Sequence, residues 1–285
     1  MVTASASAQE IPHMLDGVST ADVIEQPYAH LVRRNALSNA TYEALESEFP
    51  SLAKMLGGRN SYGNNEAVRL SVRQVLGDNQ ISRRWKDFFA YHTSQDYWLN
   101  ILRVFGPRIR QEFPRLEERV GRRFEEWRVI PRGYSGDADV RLDCQFVMNT
   151  PVIEVSSVKT PHVDLCDKIF SSLYYFRSEQ DKASGGDLDL YAWRRTPRFV
   201  KHRALLQDID LSETVAYTAN TFVCFVNSEK SVHGVSPRGV TTVPRRYINF
   251  IAELPIHAFQ PKQVSRWRKL WLSKEMKLSA SNDIY

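Results

Sequence analysis

The sequence predicts an α+β protein, mainly β, in which helices support a set of short strands. Three observations predict it. As far as residue 127, apolar residues recur at helical spacing. Near residue 129 the texture changes to short runs of β-branched and aromatic residues, separated by Gly, Pro, Asn or Asp. After Pro255 the chain turns helical and basic. Many short strands in one stretch suggest a jelly roll, a double-stranded β-helix of the cupin kind, buttressed by N-terminal helices and a C-terminal helix.

The elements follow in order. Residues 1–26 are rich in Ala, Ser and Thr without periodicity and read as a loose segment free to pack locally. Residues 26–32 form a short strand-like run. Ser38 or Asn39 then caps a helix carrying Tyr42, Leu45, Phe49 and Leu52, which Pro50 ends or kinks. Residues 57–66 are a polar loop rich in Gly and Asn, of the kind that lies over a site or merely connects. Residues 81–105 are helical again, and a third helix covers 108–127, with Phe113, Leu116, Val120 and Phe124 on one stripe. Strands are expected at 140–148, 168–176, 188–193, 221–226 and 247–254. A last helix spans 263–277. The expected organisation is one domain over 27–285, with helical support (27–130), the strand core (131–256) and the C-terminal helix (257–285).

Composition narrows the class. The chain has 285 residues, 42% of them hydrophobic, which is enough for a sizeable core. A net charge of +5 is spread along it and points to anionic ligands at most. Three cysteines without CxxC spacing argue against a disulfide scaffold or a cysteine zinc site. No apolar run approaches the roughly 20 residues of a membrane span, and no secretory signal pattern is visible, so a cytoplasmic protein is expected. A homodimer stays open as an assembly.

The chemistry centres on His162-Val163-Asp164. In an extended strand residues two apart share a face, so imidazole and carboxylate point the same way. A histidine from a later strand, His233 in Ser231-Val232-His233-Gly234, completes two His and one carboxylate. That set leaves metal positions open, as in the facial triad of non-haem Fe(II) oxygenases. A lone His-x-Asp is most often structural. Of the seven histidines, however, these two have the best context, and His13, His30, His92, His202 and His257 lack a partner at useful spacing. An open Fe(II) site needs a co-substrate that supplies electrons, and a 2-oxo acid's remote carboxylate needs a buried cation. Pro244-Arg245-Arg246-Tyr247 offers two. By period two one arginine points inward. The face of Arg245, Tyr247 and Asn249 has more hydrogen-bonding groups, which favours Arg245 over Arg246.

Residues 159–252 resemble the prolyl-hydroxylase-like branch of the Fe(II)/2-oxoglutarate-dependent oxygenases. The motifs are His162-Val163-Asp164, Leu173-Tyr174-Tyr175-Phe176, Gly185-Gly186-Asp187-Leu188, His233 and Arg245-Arg246, in the family's order. The resemblance implies Fe(II) held by His162, Asp164 and His233. It implies 2-oxoglutarate held by Arg245 or Arg246 with Tyr175, and Ser171 lining that pocket. It also implies O2 as oxidant, with succinate and CO2 released as an unactivated C–H bond is oxidised, most simply to an alcohol. Halogenating relatives have a small residue where Asp164 stands, so hydroxylation fits this sequence. The gap between His233 and the arginines is a few residues longer than usual, bracketed by Pro237 and Pro244.

Substrate contacts are less specific. Gln145 and Asn149, on the strand before the metal motif, are candidates, and Asp143, Arg141 and the 57–66 loop are further ones. The run Arg194, Arg195, Arg198, Lys201, Arg203 reads first as a solvated face. Aromatics are not interleaved with the basic residues as a nucleic-acid platform requires. A small molecule such as an amino acid or a biosynthetic intermediate is therefore the expected substrate. Two other classes compete: a non-catalytic cupin-like ligand-binding protein, and a zinc hydrolase on the same His/Asp/His set.

Overall fold

A computed structural model describes residues 12–265. Serines start most of the helices. Ser38, Ser51, Ser82 and Ser94 each accept a hydrogen bond from the backbone N–H three residues on, all at 3.3 Å. They open α1 (Asn39–Ser47), α2 (Leu52–Leu56), α4 (Arg83–Tyr91) and α5 (Gln95–Glu112). Between them lies α3 (Val72–Gly77), and α6 (Leu116–Val120) closes the set.

The expected helix boundaries need correcting. Residues 81–105 are not one helical stretch, because Thr93 and Ser94 turn their hydroxyls onto the end of α4 and Ser94 then caps α5. Helix α5 carries Pro107 inside it and runs on to Glu112. The helix expected at 108–127 is the end of α5, then α6 and a 3₁₀ turn at Phe124–Glu126, the last two separated by Gly121 at φ 79°. All these stripes join one apolar core, so apolar spacing continues across the breaks and only the caps mark them.

Two antiparallel sheets form the rest. The larger has the order β1 (His30–Arg34), β10 (Thr221–Val226), β5 (Lys168–Tyr175), β12 (Arg245–Glu253), β4 (Val140–Asn149), β2 (Ala67–Leu70), with β3 (Val129–Pro131) parallel to β4. The smaller has the order β11 (His233–Val235), β6 (Leu188–Trp193), β9 (Ile209–Val215), beside a hairpin of β7 (Phe199–Val200) and β8 (Arg203–Ala204). Strand β9 escapes a pattern search because it is an edge: three of its residues in a row, Asp210, Leu211 and Ser212, are exposed.

Period two divides the larger sheet into two working faces. Phe146, Phe170, Tyr174, Phe222 and Phe250 point to the helices and meet Trp85, Phe89, Trp98 and Phe105 in the main core. Val147, Tyr175, Val223, Phe225 and Tyr247 point the other way and pack with Leu188, Leu190 and Val215 of the smaller sheet. The candidate site lies in that second interior.

The chain ends are partly described. Met14 and Leu15 are fully buried, and Arg103 bonds the Leu15 carbonyl at 2.9 Å, so the segment expected to be loose packs onto α5 from residue 12 on. Most of the helix expected at 263–277 lies outside the described residues. Its first residues run beside β7, Val264 N donating to Phe199 O at 2.9 Å. No described helix is long and apolar enough to cross a membrane.

Candidate metal and carboxylate site

His162 and His233 are brought together by their backbones. Each donates its N–H to the other's carbonyl at 2.9 Å, which joins the chain at His162 to β11. Each ring then turns the same way. Nδ1 of His162 meets Thr160 O at 2.8 Å and Nδ1 of His233 meets Ser231 O at 2.9 Å. A carbonyl only accepts, so Nδ1 carries a proton and Nε2 is the nitrogen left to meet a metal. Such backbone partners fix the orientation of metal-binding imidazoles. Burial and the neighbouring His162 lower the pKa of His233 to about 4, so it is neutral at physiological pH.

Asp164 completes the cluster. One ligand atom from each of the three residues lies within 4.8 Å of the others. Asp164 Oδ2 accepts the Ser171 hydroxyl at 2.6 Å, while Oδ1 stands 3.7 Å from His162 Nε2. Burial opposes the charge of Asp164, but Lys168 and the two histidines hold its carboxyl well below the usual carboxylate range. Two imidazoles and one carboxylate, each oriented by its other atom, fit a divalent transition metal.

At the other end of the same interior lies Arg245. Its side chain is 1% exposed. Nε donates to Gly186 O at 2.8 Å, Nη1 makes a long contact of 3.4 Å to Asn149 Oδ1, and Nη2 has no partner. Among the described residues no carboxylate lies within ion-pairing distance of Arg245. Its guanidinium sits among the rings of Tyr175, Tyr217 and Tyr247, 4.6–5.1 Å from their centroids. The Tyr175 hydroxyl and Asn149 Nδ2 are also buried without partners. Burial pushes the Tyr175 phenol up, so it stays a donor. Buried donors left unpaired are costly and uncommon in native proteins. Three such donors, Nη2 of the guanidinium itself and the two beside it, match the oxygens of a carboxylate.

Two strands connect the ends. On β5, Ser171 touches Asp164 and Tyr175 lies under Arg245, four residues along the same face or about 13 Å between Cα atoms. In the smaller sheet Leu190 pairs with His233, and Gly186, just before β6, contacts Arg245.

The structure sorts the residues singled out from the sequence. Arg245, Tyr175 and Asn149 meet at the arginine end. Arg246 lies on the opposite face, over the Phe49 ring and bonded to Glu46, because β12 alternates. Ser171, expected beside the co-substrate, is instead bonded to Asp164, since it sits four residues from Tyr175. Asn149, expected to face substrate, is turned to Arg245. Gln145 faces inward but donates to Asp143 at 2.6 Å. In the 57–66 loop, Asn64 and Asn65 bond the 154–156 segment. In the basic run, Arg194 pairs with Asp210 and Arg195 with Asp208.

The glycine pair has a steric cause. A Cβ at Gly185 would lie 1.9 Å from Pro237 O, and its φ of 73° favours glycine. A Cβ at Gly186 would meet both the Arg245 and the Arg238 side chains at 3.3 Å. Arg238 and Tyr217 were missed in the sequence. Tyr217 lies in an irregular turn that carries no pattern. The signal for Arg238 was the extra length between His233 and Arg245.

No protein-family model and no curated protein sequence match the chain. Solved structures are similar to it. A Pseudomonas putida prolyl-4-hydroxylase is 14% identical with TM-score 0.46, over 79% of this chain and 92% of that one. A prolyl 4-hydroxylase from Phytophthora capsici is 11% identical with TM-score 0.47, over 87% and 68%. A non-heme alpha ketoglutarate dependent epimerase from nogalamycin biosynthesis is 12% identical with TM-score 0.45, over 79% and 76%. Identities this low carry no residue roles across.

Proposed function

We propose that this protein is an Fe(II)/2-oxoglutarate-dependent dioxygenase with a double-stranded β-helix core, which hydroxylates an unactivated C–H bond of a small molecule. The observation that carries the reading is the buried Arg245, which has no carboxylate partner and shares the interior of the His/Asp/His cluster. A zinc hydrolase or a plain binding protein has no use for that combination.

In this reading His162 Nε2, His233 Nε2 and Asp164 Oδ1 hold the metal. Arg245 grips the distal carboxylate of 2-oxoglutarate in a charge-assisted pair, and the Tyr175 hydroxyl and Asn149 amide donate to it. Bound Fe(II), with 2-oxoglutarate and O2, supplies the oxidising chemistry and leaves succinate and CO2 as coproducts. The protein orients both ends and keeps the space between them dry with Leu188, Leu190, Val223 and Phe225, which are all buried.

The test is an anaerobic titration of metal-free protein with Fe(II) and then 2-oxoglutarate, followed in the visible spectrum. A weak charge-transfer band that is absent in His162→Ala is expected. Iron that fails to bind, or binds without the band, removes the reading and leaves the zinc or binding-protein class, which metal analysis then separates.

A further inference from the structure

Arg238 is the second large cation buried in this region, 1% exposed. It lies in the segment between β11 and β12, held by backbone bonds to Ser156 in both directions. Its Nη2 is satisfied, donating to Asp181 Oδ2 and to Val243 O, both at 2.8 Å. Its Nε and Nη1 are enclosed and have no partner.

Its position ties it to Arg245. The aliphatic parts of both side chains flank the same point, the missing Cβ of Gly186, at 3.3 Å each. Both guanidiniums lie over the ring of Tyr217, at 4.7 Å for Arg245 and 5.9 Å for Arg238. Asp181 is the one carboxylate paired with either guanidinium among the described residues. Arg245 therefore has no counter-charge, Arg238 has one that also stands 3.6 Å from Arg177 Nε, and both have N–H groups to spare. A purely structural Arg238 would need Nη2 alone. The unpaired Nε and Nη1 point to an anion that the protein does not provide.

We infer that Arg238 is a second guanidinium of the 2-oxo-acid pocket, positioned by Asp181, that binds the distal carboxylate together with Arg245 and selects 2-oxo diacids over 2-oxo monoacids. This rests on the reading of the site as a 2-oxoglutarate site. The longer segment before Arg245 is then what delivers the second cation.

The experiment measures anaerobic binding of 2-oxoglutarate and of 2-oxobutyrate, which lacks the distal carboxylate, to the Fe(II)-loaded protein. Arg238→Lys keeps a cation for Asp181 but removes the two unpaired nitrogens. It is expected to weaken 2-oxoglutarate about tenfold, the scale of one charge-assisted hydrogen bond. Its affinity for 2-oxobutyrate and its melting temperature should stay at the wild-type values. Arg238→Met should lose more affinity for the diacid alone. Unchanged 2-oxoglutarate affinity in both variants overturns the inference, as does an equal loss for both acids, which marks a structural role. If Arg238→Met fails to fold, Arg238→Lys decides. If the wild-type protein binds no 2-oxo acid, the underlying reading falls, and this inference with it.

Discussion

The metal end and the arginine end of the same interior are built in opposite ways. At the metal end every ligand has its second atom tied down: Nδ1 of His162 to Thr160, Nδ1 of His233 to Ser231, Oδ2 of Asp164 to Ser171. At the arginine end the donors are buried and idle: Arg245 Nη2, the Tyr175 hydroxyl and Asn149 Nδ2. The first arrangement aims three groups before anything binds. The second holds a cost that an incoming anion would relieve. In the proposed reading, one end is preorganised for a metal by its own backbone and the other is completed by its ligand.

The largest effect should come from breaking the metal end. Asp164→Ala removes the one anionic ligand and leaves its holder Ser171 without a partner. Iron content and 2-oxoglutarate-dependent succinate formation should fall at least about a thousandfold, while far-ultraviolet circular dichroism stays native. Retained coupled turnover would mean that the cluster is not the metal site. The core does not depend on it, because the main apolar cluster lies on the other face of the larger sheet.

The two ends also differ in how legible they are. His162 and Asp164 are two residues apart, so strand period alone puts them on one face, and only His233 must be brought from afar. The arginine end draws Asn149 from β4, Tyr175 from β5, Arg245 from β12, and Tyr217 and Arg238 from irregular segments. Local spacing left two faces of β12 open, and the hydrogen-bonding groups of Tyr247 and Asn249 favoured the one that holds Arg245, but nothing local could show that Asn149 stands across from it in the register. Ser171 shows the same limit. Its face was legible, but which end of that face it served was not. In the fold, five strands of the two sheets were readable from their apolar runs, to within a few residues. The edge strand β9 and the helix breaks at Thr93 and Gly121 were hidden, because exposure and capping decide them rather than apolar spacing.

The next effect compares the two arginines. Arg245→Met should raise the Kd for 2-oxoglutarate about a hundredfold, the scale of a buried charge pair with one partner removed. Arg246→Met should change it less than about threefold, because its partner is the half-buried Glu46 on the helical side. Calorimetric titration of the Fe(II)- or Co(II)-loaded variants checks both. The reverse order would place the carboxylate site on the other face of β12.

The smallest effects separate the ends most sharply, because their signs differ. Ser171→Ala removes the hydroxyl that aims Asp164. Metal affinity should drop about tenfold, as when other outer-shell partners of metal ligands are lost, and the metal-free protein should gain nothing. Tyr175→Phe removes an unpaired buried hydroxyl from the empty arginine end. The metal-free, ligand-free protein should therefore keep its stability or gain up to about 1 kcal/mol, since no hydrogen bond is lost and a desolvated donor disappears. The same variant should bind 2-oxoglutarate about fivefold to tenfold more weakly, and the rise in melting temperature that the co-substrate gives the metal-loaded protein should shrink accordingly. Urea unfolding of both metal-free variants, beside thermal shifts with Fe(II) and 2-oxoglutarate, reads out the pair. A Tyr175→Phe protein that is less stable without ligand would show that the phenol is already satisfied, and the arginine end would then be preorganised like the metal end rather than completed by its anion.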